Sequence, residues 1–230
     1  MATGRLVMNA TKIVNVLAAL ALGIASLLFL LSGGDGQPAR AQTPANPERP
    51  LVFVPGLMGS KLCRTGPDGK ETVIWVTADA LGNFADLEAA VGDGVFACGL
   101  IGEVTFLGVF TQTVYGPFMA RLEEAGYREG ETLFVFDYDW RQSVFVNVDR
   151  LAGFIAKNLP DDQAFDIVAH SMGGLLARAY ALEQDAAPIA RFVTAGAPWR
   201  GSVRVFELLR EGWGLGNLLL GGVESFRRTA

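Results

Sequence analysis

The second half of the sequence contains a short apolar run that leads into a serine between small residues. Residues 165–169 have the length and composition of a buried strand, and the residues from Gly174 onward place apolar side chains at helical spacing. A serine at such a strand-to-helix turn is typical of a nucleophile elbow, in which small residues two positions before and after it let the backbones approach. Ala169 and Gly173 meet that requirement. We predict that Ser171 is a catalytic nucleophile; the alternative is an ordinary helix N-cap.

This turn belongs to a longer alternation of strand-like and helix-like segments. Continuous apolar runs predict buried strands at residues 51–54, 132–136 and 165–169, with a weaker candidate at 191–194. Apolar residues at helical spacing predict helices at residues 118–125, 148–156 and 174–182. Strands that alternate with helices indicate an α/β fold, with a mostly parallel sheet covered by helices on both faces.

Residues 56–113 interrupt the alternation, because they contain both cysteines, many glycines and several aromatic residues without a clear period. A segment of this length is too long for an ordinary connection within a compact domain. Long excursions of this kind are usually lids or binding loops. We therefore predict a lid after the first strand, and a decorative insertion is the alternative.

The N-terminus carries an apolar run that indicates export. Arg5 and Lys12 precede nearly uncharged residues 13–31, and residues 39–41 have the small-x-small pattern of a signal-peptide cleavage site. We expect residues 1–41 to be a cleaved signal peptide, although the length of the run also suits a retained membrane anchor. Residues 42–49 then form a linker, and residues 50–230 form the domain. The protein is expected to be secreted, periplasmic or anchored to a membrane.

Charge and cysteine content exclude several classes of partner. The formal charge of −5 becomes −7 when the three basic residues and the one acidic residue of 1–41 are removed. Such a surface argues against nucleic acid and does not attract anionic membranes, so any attraction to lipid must be apolar and local. One histidine and two distant cysteines are too few for a metal site. We predict no metal and no other cofactor.

The two cysteines of the sequence are Cys63 and Cys98. An exported chain with two cysteines most simply pairs them, because oxidising compartments favour disulfides. We predict a disulfide between Cys63 and Cys98, and two buried free thiols are the alternative.

Acyl transfer by a serine also needs backbone donors for the negative oxygen of the tetrahedral intermediate. The N–H of Met172, at the start of the helix after Ser171, is one candidate. The other donor normally comes from the loop after an earlier strand, and glycine-rich residues 55–60 form such a loop. We assign this second donor to Met58, with Leu57 as the neighbouring possibility. A plain glycine-rich turn is the alternative.

Four blocks of residues together resemble the lecithin:cholesterol acyltransferase family. They are Val54-Pro55-Gly56-Leu57-Met58-Gly59-Ser60-Lys61-Leu62, Tyr138-Asp139-Trp140-Arg141, His170-Ser171-Met172-Gly173-Gly174 and Gly196-Ala197-Pro198-Trp199-Arg200-Gly201-Ser202. The resemblance implies an α/β-hydrolase fold and an acyl-enzyme on Ser171. It implies a phospholipid or other lipid ester as donor, with a sterol, another alcohol or water as acceptor, and contact with a membrane surface.

The resemblance also implies roles for individual residues. The family has a disulfide-closed lid that carries a tryptophan in contact with lipid, and Cys63, Cys98 and Trp75 occupy comparable places. We expect Trp75 to bind substrate and Trp199 to form a packing or acyl-pocket wall. Asp139 and Arg141, two residues apart after a strand, are expected to lock a loop through an ion pair.

The sequence contains no histidine after Ser171, although the catalytic triad of α/β-hydrolases runs in the order serine, acid, histidine. His170 is a poor base, because the side chains of neighbouring residues at the turn diverge. The resemblance implies an acid and a base in a later C-terminal part, so we expect this chain to be truncated, with C-terminal strands missing. The alternative is a non-catalytic lipid-binding or regulatory protein that kept the pocket and lost the base.

Overall fold

A computed structural model describes residues 47–76, 87, 94–106, 110–184 and 188–203. The predicted signal peptide and residues 42–46 of the predicted linker lie outside these residues. The described elements follow in chain order: strands β1 (Leu51–Val54), β2 (Ser60–Thr65), β3 (Glu71–Trp75), β4 (Val95–Leu100), β5 (Glu103–Phe106) and β6 (Phe110–Thr113), helix α1 (Gly116–Glu124), strand β7 (Leu133–Val135), helix α2 (Val144–Asn158), strand β8 (Phe165–His170), helix α3 (Met172–Glu183) and strand β9 (Ile189–Ala195).

The central sheet contains four strands in the order β7-β1-β8-β9, and every neighbouring pair is parallel. These are the four strands that the sequence predicts, and each predicted boundary lies within two residues of the observed one. Because the strands are parallel, the loops after β1, β7, β8 and β9 all leave the same edge of the sheet. The mostly parallel α/β fold is therefore confirmed.

Helices cover both faces of this sheet, as predicted. On one face, Val52 and Ile167 join a core cluster that includes Leu151 of α2 and Leu176 of α3. On the other face, Phe53 and its neighbours pack against the apolar side of α1. Alternate residues of β1 thus point into two separate cores, which explains why the strand has no polar residue.

Residues 56–113 contain more regular structure than the sequence predicts. Strands β2, β3 and β4 form an antiparallel sheet in the order β3-β2-β4, and β5 and β6 form a hairpin. The predicted disulfide between Cys63 and Cys98 is confirmed and joins β2 to β4, with 5.8 Å between the Cα atoms. The sequence did not predict these strands, because most of them mix polar and charged residues with apolar ones and none forms a continuous apolar run of the buried-strand type except part of β4. The sequence predicted the long insertion after β1 but not the antiparallel sheet that it forms.

Within the part of the chain described here, no helix is both long and apolar enough to cross a bilayer. The apolar run of residues 13–31 lies outside that part.

Candidate active site

Ser171 lies between the last residue of β8 and the first residue of α3, in a backbone conformation that is rare for serine. Its φ is +51°, in the left-handed region that a non-glycine residue adopts only under constraint. Its N–H donates to the carbonyl of Ala195 on the neighbouring strand at 2.8 Å. The serine side chain makes no capping hydrogen bond to α3. An N-cap serine normally has extended backbone and caps the helix, so this geometry does not fit the N-cap alternative.

Small residues around Ser171 permit a close approach between α3 and the end of β1. A Cβ atom on Gly173 would overlap the carbonyl oxygens of Val54 and Pro55. Ala169, two residues before the serine, is fully buried. Packing in this fold therefore requires a small residue at position 173 and leaves the small side chain at position 169 fully enclosed.

The loop after β1, residues 55–60, packs directly against this turn. A Cβ atom on Gly56 would lie 2.9 Å from the Cβ of Ser171 and 2.9 Å from Nδ1 of His170. Gly56 therefore brings the backbone of the loop beside the serine. A hydrogen bond of 3.0 Å from the N–H of Gly59 to the carbonyl of Gly56 closes a tight turn. Within that turn Met58 has a φ of +61°.

Three backbone N–H groups near Ser171 remain available as donors. In the described parts of the chain, no hydrogen bond uses the N–H of Leu57, Met58 or Met172. Met172 is the first residue of α3, where an N–H has no partner within the helix. The sequence named Met58 and Met172 as oxyanion donors and Leu57 as the alternative. The hydrogen-bonding pattern is compatible with each of them and does not choose between Leu57 and Met58.

Four buried aromatic side chains hold the loop in place, and we call them the aromatic clamp: Trp75, Tyr115, Tyr138 and Trp140. Each binds a backbone group of residues 55–60 through its polar atom. The contacts are Tyr138 Oη to the Pro55 carbonyl at 3.0 Å, the Gly56 N–H to Tyr115 Oη at 2.9 Å, Trp75 Nε1 to the Met58 carbonyl at 3.1 Å and Trp140 Nε1 to the Ser60 carbonyl at 3.1 Å. The aromatic clamp thus provides hydrogen-bond partners for backbone groups of residues 55–60 that are not paired within the central sheet.

Trp75, which the sequence predicts to bind substrate, is buried in this structure. Its side chain is 7% exposed, and its ring meets Trp140 edge to face at 5.5 Å. The ring thus packs between the loop and Trp140, and its contact with substrate stays a prediction.

Tyr115 and His170 form a contact that sequence analysis missed. The hydroxyl of Tyr115 lies 2.7 Å from Nδ1 of His170, and their rings meet edge to face at 5.7 Å. Burial raises the pKa of Tyr115 to about 12, although the N–H of Gly56 lowers it in part. Burial lowers the pKa of His170 below its ordinary 6.5. At neutral pH the tyrosine is therefore protonated and the histidine is neutral.

Asp139 and Arg141 form the ion pair that the sequence predicts. The guanidinium binds the carboxylate through two contacts of 2.9 and 2.7 Å, and both residues are buried. Asn147 of α2 adds a bond from its side-chain amide to the Asp139 carbonyl at 3.0 Å. The pair fixes the segment that supplies Tyr138 and Trp140 to the aromatic clamp, so its role is structural.

Trp199 follows β9 and is 42% exposed. The guanidinium carbon of Arg178 lies 5.5 Å from the centre of its ring. The position after β9 is at the same sheet edge as Ser171, which is compatible with the expected pocket wall. In the described residues, no three His, Cys, Asp or Glu side chains come together as metal ligands.

Comparisons with known proteins agree with the resemblance noted in the sequence. The family model for lecithin:cholesterol acyltransferase matches residues 96–224, which is more than half of the 230 residues. This range includes Tyr138, Ser171 and Trp199, whereas residues 55–60 precede it. No curated protein matches the sequence.

Among solved structures, the crystal structure of the Tle4–Tli4 complex contains a similar chain. The TM-score is 0.47 at 17% sequence identity, and the match covers 72% of this chain and 48% of that chain. The match thus spans about half the length of that chain.

Proposed function

Because the chain belongs to the lecithin:cholesterol acyltransferase family, we propose that it acts on lipid esters as a serine-dependent acyltransferase or lipase. Ser171 is the proposed nucleophile, and a phospholipid or another lipid ester is the proposed acyl donor. A sterol, another alcohol or water then accepts the acyl group.

The observation that carries this proposal is the backbone geometry of Ser171 beside a loop in which the N–H groups of Leu57 and Met58 have no hydrogen-bond partner among the described residues. A serine with positive φ between a parallel strand and a helix matches the strained geometry of a nucleophile elbow. Gly56 brings the β1 loop into contact with the same residue. Strained backbone is maintained where the surrounding structure enforces it, and such positions cluster at functional sites.

The proposed chemistry runs in two steps. Oγ of Ser171 attacks the ester carbonyl, its proton passes to a general base, and the negative oxygen accepts hydrogen bonds from Met172 and from Met58 or Leu57. The bond to the leaving alcohol then breaks, and that alcohol takes the proton. In the second step an alcohol or water attacks the acyl-enzyme, the proton passes again through the base, and Ser171 regains its hydroxyl.

The general base of this mechanism is not assigned to any residue in the described part of the chain. His170 is the single histidine of the sequence, and its Nδ1 is engaged by Tyr115. The proposal therefore assigns the proton of Ser171 to a base other than His170. Loss of one triad member commonly leaves only about 10³ to 10⁴-fold catalysis over water, so this base decides the rate.

Exposed apolar side chains support lipid as the substrate class. Leu57, Phe145 and Trp199 are 39%, 70% and 42% exposed. They belong to the segments that follow β1, β7 and β9. These segments leave the sheet edge that also carries Ser171, and apolar side chains beside a reactive serine suit an acyl chain or a lipid surface.

Labelling with a fluorophosphonate probe tests the nucleophile. The protein expressed from its entire reading frame is expected to react at Ser171, and the adduct is located by peptide mass spectrometry. The variant Ser171→Ala is the matched control and is expected to lose the label. Vesicles that carry a radiolabelled acyl chain, mixed with a sterol or diacylglycerol, then identify the acceptor from the product.

A lipid-binding protein without turnover is the second candidate, and it is favoured because Nδ1 of His170 beside Ser171 is already engaged by the hydroxyl of Tyr115. This candidate predicts a folded protein that binds lipid vesicles while Ser171 stays unlabelled. That result would exclude the acyl-enzyme mechanism. Labelling at another residue, with Ser171 untouched, would exclude it as well.

We also propose that the protein is exported, either as a secreted or periplasmic protein or with a membrane anchor. The disulfide between Cys63 and Cys98 supports this, since such bonds persist in oxidising compartments. N-terminal sequencing of the mature protein tests it: a start after Ala41 indicates cleavage, and an intact Met1 contradicts cleavage.

A further inference from the structure

The hydroxyl of Tyr115, a member of the aromatic clamp, is hydrogen-bonded to both sides of the proposed site. Its hydroxyl lies 2.9 Å from the backbone nitrogen of Gly56 in the β1 loop and 2.7 Å from Nδ1 of His170, the residue before the nucleophile. The sequence blocks that suggest function do not include Tyr115. We propose that Tyr115 is a positioning residue that fixes the β1 loop against Ser171 by joining the Gly56 N–H to Nδ1 of His170.

The direction of both hydrogen bonds follows from the donors and acceptors available. A backbone N–H only donates, so the oxygen of Tyr115 accepts from Gly56. The hydroxyl proton then points to Nδ1 of His170, which must be unprotonated to accept it. The reverse arrangement, with a proton on Nδ1, would leave the buried hydroxyl proton without an acceptor in the described residues. The geometry therefore selects the His170 tautomer that carries its proton on Nε2.

Tyr115 is itself held rigidly, which a positioning residue requires. Its side chain is 4% exposed, and its ring meets Phe53 of β1 edge to face at 5.2 Å. Its N–H donates to the Ile101 carbonyl at 3.2 Å, and its carbonyl accepts from Met119 in α1 at 2.9 Å. The hydroxyl is thus anchored from the central sheet, the β4–β5 turn and a helix start at once.

The consequence for catalysis rests on the proposed function. Gly56 is followed directly by Leu57 and Met58, whose N–H groups are the candidate oxyanion donors. Removing the Tyr115 hydroxyl leaves the Gly56 N–H without this acceptor and breaks the link from the loop to His170, while the other three clamp residues still hold the loop. A misplacement of about 1 Å in a catalytic group lowers rates by up to about 10²-fold, so we expect a loss of about tenfold in acylation of Ser171.

Nuclear magnetic resonance of the histidine tests the proposal without requiring activity. His170 is the single histidine, so labelling with ¹⁵N-histidine gives one imidazole, provided that the purification tag contains no histidine. The wild-type protein is expected to show a protonated Nε2 and an Nδ1 shifted by hydrogen bonding. Tyr115→Phe is expected to remove that shift and mix the tautomers. A wild-type signal with the proton on Nδ1, or an unchanged signal in Tyr115→Phe, would overturn the proposal.

Tyr138→Phe is the matched control, because it removes one hydroxyl from the other side of the same loop. The Tyr138 hydroxyl binds the Pro55 carbonyl and is not hydrogen-bonded to His170 in the described residues. This variant is expected to keep the wild-type tautomer of His170. A change of tautomer as large as that in Tyr115→Phe would mean that general loosening of the loop, rather than the Tyr115 bond, sets the histidine.

Two substitutions of the histidine separate positioning from catalysis. The side-chain oxygen of asparagine is bonded to Cγ, as Nδ1 of histidine is, and accepts a hydrogen bond from Tyr115 at that position, whereas alanine offers no acceptor. His170→Asn is therefore expected to retain most of the fluorophosphonate labelling rate, and His170→Ala to fall about tenfold, as in Tyr115→Phe. Equal rates in the two variants would contradict the positioning role. A wild-type protein that is never labelled would refute the proposed function, and the tautomer measurement would still decide the role of Tyr115.

Discussion

Single backbone positions determine how closely the parts of the proposed site approach. Ser171 and Met58 are the non-glycine residues with positive φ in the described chain, and both belong to the proposed site. Gly56 and Gly173 are required for a different reason, because a Cβ atom at either position would meet other backbone or side-chain atoms. The positive φ angles and the two glycines therefore have the same effect: they allow the β1 loop, the end of β1 and the start of α3 to meet at Ser171.

Alanine substitution at two helical glycines is expected to change stability in opposite directions. Gly173→Ala forces a methyl group onto the Val54 and Pro55 carbonyls, so we expect a loss of about 1–3 kcal/mol or failure to fold. Gly153→Ala lies in α2, where a Cβ atom has no neighbour within 4 Å, and is expected to gain about 0.5–1 kcal/mol from helix propensity. Chemical denaturation measures both. A Gly173→Ala protein as stable as the wild type would contradict the packing constraint.

At the level of elements, the antiparallel sheet within residues 56–113 supports the β1 loop from outside the central sheet. Trp75 is the last residue of β3 and binds the Met58 carbonyl, and β2 begins where the loop ends. The disulfide joins β2 and β4, which are antiparallel neighbours with a register shift between Ser60 and Leu62. The predicted lid segment thus helps to hold the β1 loop through Trp75 of β3.

Removal of the disulfide is expected to loosen this sheet before the central one. In the chain-entropy model, replacing Cys63 and Cys98 with alanine costs about 3–4 kcal/mol, given the sequence separation of 35 residues. Hydrogen exchange monitored by mass spectrometry is expected to show faster exchange in β2 and β4 and little change in β8. Equal loss of protection in both sheets would contradict this separation and would mean that they unfold as one unit.

At the level of the whole molecule, parallel strands bring residues that are far apart in sequence to one edge. The segments after β1, β7, β8 and β9 contribute the loop, part of the aromatic clamp, the serine and Trp199, respectively. Their exposed apolar side chains belong to the same edge, while the net charge is negative. We therefore expect contact with lipid to be apolar and to occur on this edge.

Two exposed apolar residues of similar accessibility test this orientation. Phe145 is 70% exposed at the start of α2, on the edge that carries Ser171, and Leu182 is 66% exposed near the end of α3. Phe145→Ser is expected to weaken binding to zwitterionic phospholipid vesicles about tenfold, since burial of a phenylalanine contributes roughly 1.5 kcal/mol or more. Leu182→Ser is expected to leave binding unchanged. Vesicle co-sedimentation measures both, and equal losses would contradict a preferred edge.

The sequence by itself determined the central sheet, the position of Ser171, the Cys63–Cys98 disulfide and the ion pair between Asp139 and Arg141. Each of these depends on local pattern or on few possible partners: apolar runs for strands, small residues around a serine, two cysteines, and charges two residues apart. Local chemistry is sufficient in these cases, because the interacting groups lie close in sequence or have no competing partner.

Only the tertiary structure decided what surrounds Ser171. The contact between Tyr115 and His170 joins residues 55 positions apart, and the bond from Tyr138 to Pro55 spans 83. No local pattern marks such pairs, since a buried tyrosine has the same signature in sequence whether its hydroxyl binds a loop or nothing. The sequence did not predict the burial of Trp75 either, because its contacts are with Met58 and Trp140, which are distant in sequence. The packing of distant elements determines which polar groups are buried and need hydrogen-bond partners. These partners are therefore determined by the folded chain and not by the local sequence.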